Sequence, residues 1–292
     1  METEIIDTLK EKRPNLHAKS VKTYVSLLKN IMKNMNYENV EDLDKNPTKV
    51  IEFLKEKYDN LNGIKTRLSS LFVITNNKAY HTDMMTNIEK YNTETNKQEK
   101  NEKQKENWMT SEQIETIYDN METSIKPLWK KKNLSIKELM KIQDFVILSL
   151  FTLIPPRRSL DYVEFKINNI DTNKDNYIKG NSLVFNTYKT STQKGQQTIK
   201  IPKELKSLLT KYIKLISDKS DYLLFNNKIE QLSIPNFTLR LNKIFGKKVS
   251  VNMLRHIYLS EKHADNLKEM KDDFAKMGSS LKQSNTYIKK ND

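Results

Sequence analysis

Sixteen consecutive residues, Asn92 to Asn107, carry no apolar side chain. They read Asn-Thr-Glu-Thr-Asn-Lys-Gln-Glu-Lys-Asn-Glu-Lys-Gln-Lys-Glu-Asn. Such a tract has no face to bury, so it is a mobile linker or a solvated helix extension. It divides the 292 residues into a part spanning 1–91 and a part spanning 108–292, joined by a polar linker at 92–107. Each part is long enough to build a core of its own.

The first part reads as four or five short helices. Between Ser20 and Met35, Val21, Tyr24, Val25, Leu28, Ile31 and Met32 recur at helical spacing, with Lys22, Lys29 and Lys33 on the other side. Pro47 opens a helix over Thr48 to Tyr58. Asn62-Gly63 reads as a break before a helix from Ile64 to Tyr80. The second part is mixed. Ser111 caps a helix to about Met121, and Ser135 caps another over Ile136 to Leu153, ended by Pro155-Pro156. Three strand-like runs follow, Tyr162 to Ile167, Ser182 to Tyr188 and Gln197 to Ile201. The last two flank the polar loop Lys189 to Gly195 and read as a hairpin. Helices are expected from Pro202 to Ile216, Pro235 to Phe245 and Val251 to Lys262. The fold class is therefore α+β and mainly helical: a helical N-terminal domain, then a mixed domain with a small three-stranded antiparallel sheet.

The chain carries 51 Lys and Arg against 37 Asp and Glu, a net charge of +14. That excess suits a polyanionic partner, and a solvated Lys/Glu-rich surface is the plainer alternative. There is no cysteine, which removes disulfides, thiolate zinc sites and thiol nucleophiles together. Five glycines and no GxxxxGK[ST] argue against a phosphate loop. The four histidines, His17, His81, His256 and His263, have no metal-ligand spacing, so neither metal nor cofactor is expected. The longest apolar run, Ile142 to Ile154, is interrupted by Gln143 and Asp144 and is too short to span a bilayer. No signal core follows the N-terminus. The expectation is an intracellular protein without a membrane partner or small-molecule substrate.

Only six of the basic residues are arginine. Arginine's planar fork grips phosphate oxygens bidentately and keeps its proton, so the positions of these few carry information. Arg157 and Arg158 follow Pro155-Pro156 at a rigid bend, with Asp161 three residues beyond Arg158 and able to brace a guanidinium. Asn252 and Arg255 share a helix face, with His256 one step round. Lys189 stands at the mouth of the hairpin, with Lys194 as an alternative in the same loop. Tyr287 follows the small-residue turn Met277-Gly278-Ser279-Ser280. Taken singly, each has a bland account: a helix-end pair, a solvated face, one lysine among many, a frayed end.

Taken in order, these residues resemble the tyrosine recombinase (phage integrase) family over nearly the whole chain. Pro155-Pro156-Arg157-Arg158-Ser159-Leu160-Asp161 looks like the family's first arginine box and puts its arginine on Arg158. The strand, Lys189, strand run looks like its lysine hairpin. Asn252-Met253-Leu254-Arg255-His256 looks like its HxLRH box. Gly278-Ser279 with Tyr287 looks like its Gly-His box and nucleophile. The helix around Ser20-Val21-Lys22-Thr23-Tyr24 is similar to part of its core-binding domain. The Lys/Asn/Ile-rich composition looks like integrases of AT-rich viruses or mobile elements.

The resemblance implies a site-specific recombinase acting on double-stranded DNA as a tetramer on paired sites, its two domains closing on the duplex. Tyr287 would attack the scissile phosphate, Arg158 and Arg255 would hold its non-bridging oxygens, and Lys189 would protonate the leaving 5′ oxygen. The chain departs from the pattern twice: Asn252 and Ser279 stand where the family has histidines. Both can donate a hydrogen bond, and neither can act as a base near neutral pH. A weakly active or inactive DNA-binding relative and a type IB topoisomerase-like enzyme are the alternatives.

Overall fold

The computed structural model describes residues 2–289, and the chain divides into two compact units at Lys100/Asn101. The boundary falls inside the polar tract, which is helical at both ends and not uniformly extended.

The first unit holds six helices among the described residues: α1 (Glu2–Lys12), α2 (Ala18–Met35), α3 (Asp42–Lys45), α4 (Pro47–Lys57), α5 (Leu61–Thr75) and α6 (Lys78–Asn96). Polar caps set most of the boundaries. His17 accepts the Lys19 N–H to start α2, and Asn36 closes it in the left-handed conformation at φ 57°. Asn46 caps α4 ahead of Pro47. Asn62-Gly63, expected as a break, lies inside the first turn of α5, because the Asn60 side-chain Oδ1 accepts both their N–H groups. The real break is Asn76-Asn77, where Asn76 turns left-handed and Asn77 caps α6. Val25, Leu28, Ile31 and Met32 of α2 are buried with Leu43, Leu54, Leu68, Leu71 and Ile74 in one core. Tyr80 adds its ring and donates its hydroxyl to the Leu43 carbonyl.

The second unit opens with α7 (Glu102–Asn107), α8 (Ser111–Ile125), α9 (Ile136–Thr152) and α10 (Ser159–Val163). Next come β1 (Tyr177–Lys179), β2 (Ser182–Phe185), α11 (Ser191–Lys194) and β3 (Gln197–Lys200). It ends with α12 (Lys203–Ile216), α13 (Ile234–Phe245), α14 (Val251–Lys276) and α15 (Ser284–Tyr287). Ser135 and Glu138 close a capping box that starts α9. That helix runs through the core with Leu139, Ile142, Phe145, Val146, Leu150 and Phe151 buried. Its two polar interruptions are buried as well, and Arg240 from α13 answers them. Arg240 Nε donates to Asp144 at 2.7 Å, Nη2 to the Met140 carbonyl at 2.9 Å, and Nη1 to Gln143. An unpaired charge there would be costly, so this arginine is committed to the fold.

The sheet is three-stranded and antiparallel in the order β1-β2-β3. Its first strand is Tyr177–Lys179, not Tyr162–Ile167. Ser159 to Val163 instead form a helical turn, leaving Phe165 and Lys166 only isolated bridges to Asn176 and Tyr222. Lys179 pairs with Ser182 across Gly180-Asn181, a two-residue loop whose glycine takes φ 58°. The 189–195 loop contains the short helix α11 and closes at Gly195, φ 65°, ψ −161°, a conformation open essentially to glycine. The helix expected to stop near Lys262 runs on to Lys276. No helix among the described residues is long and apolar enough to cross a membrane.

Candidate functional site

Pro155-Pro156 ends the core helix α9 and hands an extended segment to the short helix α10. Arg158 occupies the N-cap of α10 with β-region backbone, φ −71° and ψ 156°. Arg157, one residue earlier, folds back over the unit. Its Nε donates to Asp161 Oδ2 at 2.7 Å and its Nη1 to Gln197 Oε1 at 2.9 Å. Its guanidinium lies 3.9 Å from the Phe185 ring centroid and 5.2 Å from that of Tyr188. Asp161 therefore pairs with Arg157, at i,i+4, and not with Arg158 as the family-like spacing suggests. Arg158 makes no side-chain hydrogen bond or ion pair among the described residues.

Arg157, Arg158, Asp161, Tyr188 and Gln197 line a cavity of about 270 Å³ together with Thr190, Lys194, Ile199 and Arg255. Arg255 reaches it from the second turn of α14, whose start is capped by Ser250. It too makes no side-chain hydrogen bond among the described residues. Two arginines without a hydrogen-bond partner among the described residues and the exposed Lys194 thus line one space, beside a single buried carboxyl. Burial pushes that carboxyl, Asp161, up from its usual range against the pull of Arg157 and the more distant Arg158. Its Oδ1 is buried without a hydrogen-bond partner. The arrangement suits an anion with several oxygens, such as a phosphate, and no group of three or more His, Asp or Glu able to hold a metal occurs among the described residues.

Lys189 is exposed and is not among the lining residues; α11 brings in Lys194 instead. Tyr188 closes this loop, its hydroxyl donating to the Gly195 carbonyl at 2.7 Å. Asn252 is exposed in the first turn of α14 and is also not part of the lining. Gly278 and Ser279 form the stop of α14. The Ser279 N–H bonds the Phe274 carbonyl at 2.8 Å and the Gly278 N–H that of Ala275 at 3.0 Å, with Gly278 at φ 67°. That is a Schellman motif, which spends this glycine on a helix end. The Ser279 hydroxyl bonds Gln283 at 2.6 Å.

Tyr287 is half exposed and rests edge-on against the Phe274 ring, centroids 5.9 Å apart. Phe274 is nineteen residues beyond Arg255 on one unbroken helix, so at 1.5 Å per residue it lies about 28 Å along the axis. Arg158 and Arg255 thus line one cavity with Lys194, Tyr188, Thr190 and Gln197; Lys189 and Asn252 lie near that lining in the chain without being part of it, while Ser279 and Tyr287 lie at the far end of α14. Two signals for this were readable in the chain: the i,i+4 spacing of Arg157 and Asp161, and the absence of Gly or Pro between Val251 and Met277.

No protein-family model matches the chain, and no curated protein matches it. Among solved structures, the crystal structure of XerA recombinase is a weak neighbour. It is 13% identical, with a TM-score of 0.37, over 89% of this chain and 82% of that one.

Proposed function

We propose that the protein cuts and rejoins DNA strands as a site-specific recombinase or integrase, through a covalent link to Tyr287. The observation that carries this reading is the convergence of Arg158, Arg255 and Lys194 on one cavity, in a chain of net charge +14. Two free guanidiniums fit the two non-bridging oxygens of a phosphodiester, where negative charge builds as a fifth oxygen approaches phosphorus. The Tyr287 oxygen attacks and its proton passes to water. The bond from phosphorus to the 5′ oxygen breaks, that oxygen takes a proton from Lys194, and a 3′-phosphotyrosyl link remains. Attack by a 5′-hydroxyl from another strand runs the step backwards and completes exchange. We assign the proton to Lys194 over Lys189 because only Lys194 lines the cavity. Asn252 and Ser279 are proposed as neutral donors once DNA is bound, and four copies on paired sites as the working assembly.

The chemistry requires the tail to leave Phe274, since Tyr287 rests far along α14 from Arg255. That distance also favours a second reading, a protein that binds duplex DNA without cutting it. Covalent trapping on a pool of nicked, random-sequence duplexes separates the two. Wild-type protein is expected to give a band that survives denaturation and is lost in Tyr287→Phe. Normal duplex binding with no such band in either protein would establish the second reading.

A further inference from the structure

Arg157, the first arginine of the Arg157-Arg158 pair, is not spare charge. Arg157 is mostly buried, and two of its three nitrogens are committed: Nε to Asp161 on α10 and Nη1 to Gln197 on β3. Its plane covers Phe185 at the end of β2 and approaches Tyr188, whose hydroxyl closes the loop at Gly195. One guanidinium thus joins the segment bearing Arg158 to both strands of the hairpin bearing Lys194. Asn176 makes a parallel tie. Its Nδ2 donates to the Asp161 and Thr187 carbonyls at 2.9 and 2.7 Å, and its Oδ1 accepts the Asn186 and Thr187 N–H groups. On the β3 side Gln196 is tied only within the hairpin, to Asn186, and among the described residues no other side chain joins β3 to α10. Lysine cannot reproduce Arg157's role, because an ammonium lacks the planar fork that bonds two groups while stacking on a ring.

We propose that Arg157 is a positioning residue: it braces the β2–β3 hairpin against the Arg158 segment and so holds Lys194 over the cavity. This rests on the strand-cutting reading for its chemical consequence, but the brace itself does not. Arg157→Lys keeps the charge beside Asp161 and loses the fork, and Gln197→Ala cuts only the tie to β3.

The first test is amide hydrogen exchange over residues 189–199 in the full chain. Losing one charge-assisted hydrogen bond should speed exchange there about tenfold in both variants, with α9 and α12 unchanged. Unchanged exchange over 189–199 in both would overturn the brace, whether or not the protein cuts DNA. The second test uses the duplex recovered by trapping, remade with sulfur in place of the scissile 5′ oxygen. A thiolate leaves without a proton, so this substrate should restore cleavage to Lys194→Ala. If Arg157 acts through Lys194, the same substrate restores Arg157→Lys and Gln197→Ala and leaves Arg158→Ala impaired. Rescue of Lys194→Ala without rescue of Arg157→Lys would overturn the route and make Arg157 a phosphate contact. A wild type that forms no adduct defeats the strand-cutting reading alone, and the exchange result still decides the brace.

Discussion

Replacing Phe274 with alanine should make the protein form its covalent adduct faster. The Tyr287 ring rests edge-on against Phe274 about 28 Å along α14 from Arg255, so on the strand-cutting reading the docked tail would compete with the reactive arrangement. An edge-to-face pair of this kind is worth about 0.5–1.5 kcal/mol beyond its area. If the docked tail dominates, removing the contact raises the competent fraction by the same free energy, about 2- to 10-fold. Single-turnover adduct formation with excess protein on a trapped duplex reads this directly. The absence of native cysteine allows a second readout. Spin labels at Met253→Cys and Asn285→Cys should report a separation on the order of 30 Å in free protein, from the helical rise. They should report a shorter one on DNA, with Phe274→Ala already populating it. A slower or unchanged rate in Phe274→Ala, with the long distance kept on DNA, would refute the argument that the tail must move.

Four further outcomes follow from the same geometry. Arg255→Ala should bind duplex almost as wild type in a filter assay yet lose cleavage by about 10²–10³-fold, the scale for removing one oxyanion donor. Lys194→Ala should lose cleavage of an all-oxygen duplex while Lys189→Ala, exposed and off the cavity, keeps it; the reverse would return the proton donor to Lys189. Arg240→Ala should cost about 3–5 kcal/mol in urea unfolding by stranding Asp144, and Arg240→Met with Asp144→Leu should recover most of it. Glu138 is held down from 4.5 to about 2 by Lys131 and by the Ser135 N–H and hydroxyl. Its contribution to stability is present above pH 4.5 and lost as pH falls towards 2, so Glu138→Gln should flatten the fall in Tm across that window.

Caps made much of the helical layout legible: Ser135, Pro47 and Pro202 mark helix starts that sequence alone locates. Gly180-Asn181 forms a hairpin turn, but the strand before it, β1, is three residues long and too short to carry an alternating pattern. Tyr162 is buried because α10 packs under the sheet's side chains, a tertiary fact that alternation cannot separate from a strand. At the site, three arginines line the cavity, Arg157, Arg158 and Arg255, and only the last two are without a protein hydrogen bond among the described residues. Which lysine joins them depended on α11 folding within the loop, and a four-residue helix leaves no periodicity to read. Asp161 was legible as a brace but not its partner. The backbone at Arg158 is extended as an N-cap, so Arg157, one residue outside the helix, is the one whose fork meets the carboxylate.

The scarcity of arginine then has a physical reading. Arg67 folds onto the Gly63 carbonyl at 3.1 Å with its guanidinium 3.7 Å from the Tyr58 ring centroid. Gly63 has no Cβ to obstruct it, since one built there would stand 3.3 Å from Arg67 Nη1. Arg240 is buried against Asp144, and Arg157 ties α10 to the hairpin. Each of these sites needs a planar, always-charged fork, and lysine would leave part of the task undone. Arg158 and Arg255 have the same fork without a protein partner among the described residues, and they face one cavity. On the proposed reading, a chain that commits all its arginines but the exposed Arg13 to such geometry and charges its surface with lysine would separate two contributions to DNA binding. The lysine field would supply salt-dependent, sequence-independent attraction, while the cavity pair would act on one phosphate. Raising ionic strength should therefore weaken binding of wild type and Arg255→Ala in parallel, with log Kd rising along nearly the same slope. A slope clearly shallower in Arg255→Ala than one lost phosphate contact explains would show that the cavity pair carries bulk affinity as well.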